Sequence, residues 1–320
     1  MYDDFLKTVH DIGLVPMIAI EDAEDAVPLA RALVDGGVPA AEVTFRTEAG
    51  EKAIEEMAAQ VPEIAVGAGT VTNVNRAKRA VAAGASFIVT PGFNPNVVRW
   101  CVENDVPIIP GTSSPSDIEA AMEFGLSAVK FFPAEVNGGV KALKALSGPY
   151  AGMRFLPTGG VGLANMVDYL SLPNVLAVGG SWLSPAGLIA GKDFAGITKV
   201  CRESVWKMHS FELAHVGINS DDDAEALATA NKLAEMFGLA VEDKGGGYFA
   251  GDMADVVKCN LLGTKGHIGV NCVDVDRAIA FFERRGYSFT EVGAGVDERG
   301  YTSKFFEGEV GGFAIHLRRR

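Results

Sequence analysis

Between Leu14 and about Met208 the chain repeats one unit: a short apolar run, a turn marked by Gly or Pro, and a stretch of helix length. The runs are VPMIAI, AEVTF, AVGAGT, FIVTPG, PIIPGT, AVKFFP, RFLPTGG and VLAVGGSW, eight in all. The helical stretches are predicted at Ala23–Asp35, Gly50–Gln60, Asn73–Ala83, Asn94–Asn104, Pro115–Phe124, Gly139–Ala145, Leu163–Leu170 and about Ile197–Met208. Strands that read as continuous apolar runs are buried on both faces, as in parallel sheets flanked by helices. Eight such units in about 195 residues predict a compact (β/α)₈ TIM barrel near the lower size limit of that fold. A doubly wound open sheet is the rival, but no GxGxxG follows the first run, where a dinucleotide fold would need it. The leading segment Tyr2–Val9 is predicted to be a helix that plugs the lower end of the barrel.

A break falls at about His209–Glu212, and beyond it the chain repeats itself in a different way. His215-Val-Gly-Ile-Asn219 returns as His267-Ile-Gly-Val-Asn271. Each copy is followed by an acidic patch (Asp221–Asp223; Asp274 and Asp276), then an amphipathic helix (Ala224–Phe237; Arg277–Arg285), then strands punctuated by glycine. An internal repeat of this kind predicts two βαβββ halves sharing one small α+β domain. The expected organisation is a barrel over residues 1–208 and a second domain over 211–320.

Composition bounds the partners. The chain has 320 residues, 48% hydrophobic and 22% charged, with a net charge of −13. That balance argues against a general nucleic-acid or anionic-membrane binder. The N-terminal stretch MYDDFLKTVH lacks the apolar core of a secretory signal. No apolar run approaches the roughly 18 residues of a membrane span. Four scattered cysteines without CxxC spacing fit reduced thiols and a cytoplasmic location.

Chemistry enters where polar residues interrupt these apolar strands. In a barrel of this type the active site lies at the C-terminal ends of the strands. Alternation along AEVTFR puts Glu42, Thr44 and Arg46 on one face and Val43 and Phe45 on the other. If Val43 and Phe45 pack under the helices, a carboxylate and a guanidinium point inward. Lys130 arrives from the sixth strand, amid Ala128, Val129, Phe131 and Phe132. Charged groups are costly to desolvate, so the three form either a buried structural network or a reactive set. In the reactive reading Lys130, when neutral, attacks a carbonyl to form a Schiff base, and Glu42 moves protons. Separately, Thr158-Gly159-Gly160 ends the seventh strand and Gly179-Gly180-Ser181 the eighth. Glycines let backbone N–H groups approach an anion, and barrels commonly hold phosphate after these two strands. Ordinary tight turns are the plain alternative.

Residues 12–205 closely resemble the 2-keto-3-deoxy-6-phosphogluconate (KDPG) / 4-hydroxy-2-oxoglutarate (KHG) aldolases. The matching stretches include Glu42-Val-Thr-Phe-Arg46-Thr, Val66-Gly-Ala-Gly-Thr70-Val, Thr90-Pro91-Gly92, Lys130-Phe-Phe-Pro-Ala-Glu-Val-Asn-Gly-Gly, Phe155-Leu-Pro-Thr158-Gly-Gly and Gly179-Gly-Ser-Trp182, in order. The resemblance implies a homotrimeric class I aldolase without metal or cofactor. It implies Lys130 as the Schiff-base lysine and Glu42 as the general acid/base. It further implies that Arg46 and Thr70 bind the pyruvoyl carboxylate, that Pro91 and Phe132 line that pocket, and that Thr158, Gly159, Gly160, Gly180 and Ser181 hold a distal phosphate. The expected substrate is a keto-acid phosphate, cleaved to pyruvate and an aldehyde such as glyceraldehyde 3-phosphate. 4-Hydroxy-2-oxoglutarate, a 6-phosphogalactonate-type acid, and a phosphate-binding barrel isomerase or epimerase are the alternatives.

The repeated halves of the second domain resemble the vicinal oxygen chelate superfamily, which includes glyoxalase I. The resemblance implies one metal ligand on the first and last strand of each half, hence His215, Lys258, His267 and His316. Lys258 stands where a carboxylate or amide is expected, and His316 replaces a carboxylate. The three histidines suit a divalent ion such as zinc or nickel. Polar lining of a degenerate cavity is the alternative.

Overall fold

Burial on both faces accounts for the apolar runs. The computed structural model describes residues 2–320, which divide into two compact units with the break between Met208 and His209. In the first unit the strands are β1 (Leu14–Ile18), β2 (Ala40–Thr44), β3 (Ala65–Gly69), β4 (Phe87–Val89), β5 (Ile108–Ile109), β6 (Gly111–Thr112), β7 (Ala128–Phe131), β8 (Arg154–Pro157) and β9 (Val178–Gly180). Among the described residues they pair in parallel, in the order β5-β4-β3-β2-β1-β9 and β6-β7-β8. The fifth strand is split because Pro110 has no N–H for the ladder. Its carbonyl still accepts from Lys130 N at 2.8 Å. Bridges at Phe155–Val175 and Thr158–Gly179 carry the ring from β8 to β9. The eight-fold alternation therefore closes into the expected (β/α)₈ barrel.

Helix α1 (Tyr2–Ile12) sends Leu6 and Val9 against Val15, Ile109, Ala128, Leu156, Leu176 and Ala177. It plugs the N-terminal end of the barrel, as expected. The outer helices are α2 (Ala26–Asp35), α3 (Ala49–Gln60), α4 (Val74–Ala82), α5 (Pro95–Glu103), α6 (Pro115–Glu123), α7 (Gly139–Ser147), α8 (Met166–Leu170), α9 (Ala186–Ala190) and α10 (Phe194–His209). Their starts follow local rules. Asn73, Asn94 and Ser114 cap the free N–H groups of α4, α5 and α6, and Ser114 with Asp117 makes a capping box. Two expected starts shift by three residues: the helix after β8 begins at Met166, not Leu163, and α10 begins at Phe194, not Ile197. Asn165 bonds back to both Gly160 and Gly162, holding that stretch as a loop.

In the second unit β10 (Glu212–Asn219), α11 (Asp223–Phe237), β11 (Val241–Asp243), β12 (Gly247–Ala250) and β13 (Ala254–Val257) form one βαβββ half. β14 (His267–Cys272), α12 (Val275–Glu283), β15 (Phe289–Asp297), β16 (Gly300–Phe306) and β17 (Ala314–Arg319) form the other. They share one sheet in the order β11-β12-β13-β10-β14-β17-β16-β15. β10 and β14 meet antiparallel at its centre, and each runs parallel to the last strand of its own half. The acidic patches are explained locally: Asp222 and Asp274 cap α11 and α12. Among the described residues, no helix is long and apolar enough to cross a membrane.

Candidate active site and a second histidine centre

Adjacent β2 residues face opposite ways, yet the whole strand is buried. Val43 and Phe45 pack in the core while Glu42 takes the other face. There Lys130 Nζ donates to Glu42 Oε1 at 2.9 Å and Oε2 at 3.2 Å, with the two side chains only 4% and 1% exposed. Such a pair is costly to desolvate and is a weak reason for stability. Gly69 makes room for it, since a Cβ there would stand 2.4 Å from Glu42 Oε1. The ammonium lies 5.4 Å from the centroid of the Phe132 ring.

Arg46 sits past the end of β2, exposed, and its Nε donates to Thr70 Oγ1 at 3.3 Å. Thr70 holds φ at 57°, a left-handed conformation that is rare for a β-branched residue. Strain of this sort gathers at functional sites. Pro91 and Gly92 crowd Gly111, where a Cβ would meet the Pro91 carbonyl at 2.5 Å. At the end of β8, Thr158 is fully buried against Gly179, and Gly159 and Gly160 both take left-handed φ, at 95° and 80°. Among the described residues, no acceptor takes the N–H of either glycine. Gly180 ends β9 and Ser181 follows it on the surface. Glycine geometry, rather than the N-terminus of a long helix, is what presents donors here.

In the second unit His215 Nε2 lies 3.1 Å from His267 Nε2 and 3.2 Å from His316 Nε2. All three rings are buried. The repeated His-x-Gly motif explains how they fit. A Cβ on Gly217 would strike the His267 ring at 2.0 Å, and one on Gly269 would stand 2.6 Å from His215 and 2.8 Å from His316. Each glycine thus clears space for a histidine of the other half. Burial drops His215 to about 4 and His316 to about 3, with the neighbouring histidines adding to both, and it lowers His267 as well. Burial thus favours the uncharged form of the rings. His215 Nδ1 and His316 Nδ1 are buried without a partner. Buried polar groups are normally satisfied, so hydrogen bonding within this cluster does not repay its desolvation. Three imidazole nitrogens that converge at one buried point suit a divalent cation.

Lys258 does not join them. Its Nζ pairs with Asp243 at 3.0 Å and Asp223 at 3.1 Å, and lies over the Tyr248 ring. The nearby carboxylate is Asp255, on β13, whose Oδ2 is 3.6 Å from His267 Nε2. Its Oδ1 is buried and unpartnered, in space that a Cβ on Gly247 would fill. Burial raises Asp255 to about 6, against the opposing pull of Arg318 and Lys244. The sequence reading missed Asp255. Its only local signal was the strand alternation that pairs it in direction with Val257.

The description "Aldolase: KDPG and KHG aldolase" matches residues 6–200. The chain is 49% identical over 199 residues to the 2-dehydro-3-deoxy-phosphogluconate aldolase of Treponema pallidum, covering 62% of this chain and 95% of that one. The KDPG aldolase of Legionella pneumophila, solved with pyruvate captured as a covalent carbinolamine intermediate, is 39% identical with a TM-score of 0.60, over 62% of this chain and 96% of that one. The KDPG aldolase of Zymomonas mobilis ZM4, solved with 3-phosphoglycerate, is 38% identical with a TM-score of 0.60, over 64% and 96%. With its closed barrel and its buried lysine–carboxylate pair, this chain belongs to the KDPG and KHG aldolase family.

Proposed function

We propose that residues 1–208 reversibly cleave 2-keto-3-deoxy-6-phosphogluconate, or a closely related 2-keto-4-hydroxy acid, to pyruvate and an aldehyde such as glyceraldehyde 3-phosphate. The observation that carries this is the Lys130–Glu42 pair, closed at 2.9 Å inside an apolar barrel. Lys130 passes a proton to Glu42 and attacks the C2 carbonyl. Glu42 returns the proton to the carbinolamine oxygen, water leaves, and an iminium forms. Glu42 then takes the proton of the C4 hydroxyl. The C3–C4 bond breaks, the aldehyde departs, and the electron pair rests in the enamine. Protonation at C3 and hydrolysis release pyruvate and restore the amine. The chemistry calls for no metal or other cofactor: the iminium is the electron sink.

Arg46 and Thr70 hold the pyruvoyl carboxylate, with Pro91 and Phe132 walling the pocket. Thr158, Gly159, Gly160, Gly180 and Ser181 hold the phosphate. The free N–H groups of Gly159 and Gly160 support a phosphorylated substrate, gluconate- or galactonate-derived, over 4-hydroxy-2-oxoglutarate. Comparing kcat/KM for the phosphorylated and plain acids tests this; equal values would remove the phosphate site. The chain is an aldehyde-lyase. An isomerase would share the glycine loops but would have no use for a lysine adduct. Family resemblance supports a homotrimer, which light scattering on the purified chain tests. Free cysteines, three of them buried, support a reducing, cytoplasmic setting.

For residues 211–320 the convergence of His215, His267 and His316 supports a bound divalent transition metal, zinc or nickel. The metal would supply Lewis-acid character to an oxygen ligand. Metal analysis of the full-length chain and of its His215→Ala variant tests it: about one ion per chain is expected, and its loss in the variant.

A further inference from the structure

We infer that Tyr169, which no step of the proposed reaction uses, is a positioning residue. Acting through Glu135, its hydroxyl sets the distance between the anion cradle at Gly159-Gly160 and the amine of Lys130. One buried hydroxyl then gauges the two ends of a phosphorylated substrate. The inference rests on the phosphate reading above and adds to it the residues that hold the cradle in place.

The first support is backbone register. Lys130 pairs with Leu156 and Phe131 with Pro157 in the β7–β8 ladder. The ladder runs on past both strands. Thr158 N donates to Phe131 O at 3.0 Å, Ala134 N to Thr158 O at 2.8 Å, and Glu135 N to Gly159 O at 3.1 Å. The cradle is thus laced to the segment that leaves Lys130. Side chains fit along the same seam. A Cβ on Gly159 would stand 3.1 Å from Pro133 Cα, and one on Gly160 would stand 2.5 Å from Glu135 Cγ. Each glycine therefore supplies an N–H and also makes room for residues 132–135.

The second support comes from α8. Asn165, at its start, accepts from Gly162 N at 2.9 Å and donates from Nδ2 to Gly160 O at 3.1 Å. With Gly159 O taken by Glu135 N, both cradle carbonyls are fixed. Tyr169 lies four residues after Asn165, about one turn on, so the two reach the same side. It is fully buried, and its hydroxyl donates to Glu135 Oε1. A hydroxyl donating to a carboxylate is among the stronger hydrogen bonds. Burial, and then the Glu135 carboxylate, raise the pKa of the phenol, so it stays a donor. Glu135 is otherwise exposed, so this bond is what turns its carboxylate inward over Gly160. Space is made for the pair: Gly139, at φ 57°, would put a Cβ 3.1 Å from both Glu135 Oε1 and Tyr169 Oη. Without the hydroxyl, Glu135 swings to solvent and the cradle shifts, while Lys130 keeps its own ladder.

The test is the ratio of kcat/KM for 2-keto-3-deoxy-6-phosphogluconate over that for 4-hydroxy-2-oxoglutarate, measured on the full-length chain. Tyr169→Phe keeps the ring and removes the hydroxyl. KM for the phosphorylated acid is expected to rise about tenfold with kcat held within about threefold, as loss of binding at one end requires. The constants of the plain acid should stay within about twofold. Exchange of the pyruvate methyl protons with deuterated solvent needs Lys130 and Glu42 but no phosphate, and should also stay within about twofold. Glu135→Ala should match Tyr169→Phe, and the double variant should be no worse than either alone. Glu135→Gln keeps an acceptor and should stay within about threefold of wild type. Glu135→Ala carries the test if Tyr169→Phe does not fold. An unchanged ratio in Tyr169→Phe and Glu135→Ala, while the wild type discriminates, overturns the inference and leaves the phosphate site standing. Equal losses for both acids and for exchange make Tyr169 a support of the fold alone and overturn it too. Additive losses in the double variant overturn the link through Glu135. A wild type that does not discriminate overturns the phosphate reading and this inference with it.

Discussion

The two units each bury a polar cluster, and they do so in opposite ways. In the barrel the cluster is complete: the ammonium of Lys130 meets the carboxylate of Glu42, and both oxygens are used. In the second unit the cluster is unfinished: three imidazole nitrogens converge at 3.1 and 3.2 Å, and the outer nitrogens of His215 and His316 lack partners. A closed pair needs only a substrate to become reactive, because the proton source and the nucleophile are already in contact. A convergent, unsatisfied set needs a cation first. The difference separates a cluster whose side chains satisfy one another from one whose side chains do not.

Substitutions can break this contrast. The largest effect is expected at Lys130: Lys130→Ala should lower kcat by at least about 10³-fold, since no other group there can form the iminium. Glu42→Gln should cost about 10²- to 10⁴-fold, the usual range for a general acid/base. Steady-state rates with and without a chelator check both, and chelation itself should leave the wild-type rate unchanged. Next comes stability. Glu42→Ala leaves a buried lysine unpartnered and should destabilise the barrel by about 3–5 kcal/mol, whereas the double change Lys130→Met with Glu42→Leu should recover most of that. Denaturant titration separates the two, and equal loss in both would mean the pair is not the unit that matters. In the second unit Gly217→Ala pushes on the His267 ring and should cut metal affinity by about 10- to 100-fold, with aldolase kinetics untouched.

The smallest effect is on pH. His209 and His316, at about 3, and His215, at about 4, all lie below the unfolded value near 6.5. The unfolded chain therefore binds protons that the folded second unit refuses. Stability is full above about pH 6.5 and falls as pH drops through the window down to about 3. Asp255, raised to about 6, works the other way, one carboxyl against three imidazoles. All three tryptophans, Trp100, Trp182 and Trp206, belong to the first unit. Acid titration should therefore show loss of sheet by circular dichroism before tryptophan fluorescence changes. Coincident transitions would contradict it.

What was legible in the sequence follows from what is local. Apolar runs and helix caps are short-range signals, so the barrel and its plug could be read directly, and the repeat announced the paired halves. Strand parity brought Glu42 to Lys130, because packing Val43 and Phe45 under the helices turns Glu42 into the barrel. The split at Pro110 and the late start of α8 depend on backbone bonding across the fold, which a periodic pattern does not carry. Asp255 was hidden for the same reason. Choosing it over Lys258 requires the register of β13 against β10, set by pairings about 40 residues apart in the chain. Lys258 lies one residue past the strand and turns to Asp223 and Asp243 instead.

The central claim is that the barrel's chemistry runs through an adduct at Lys130, independently of the three-histidine cluster. Borohydride reduction of the full-length chain in the presence of pyruvate, after exhaustive chelation, tests it most directly. One pyruvate-derived label per chain is expected, on the peptide carrying Lys130, and no label in Lys130→Ala. Labelling elsewhere, labelling that survives in the variant, or labelling that vanishes on chelation would contradict the account.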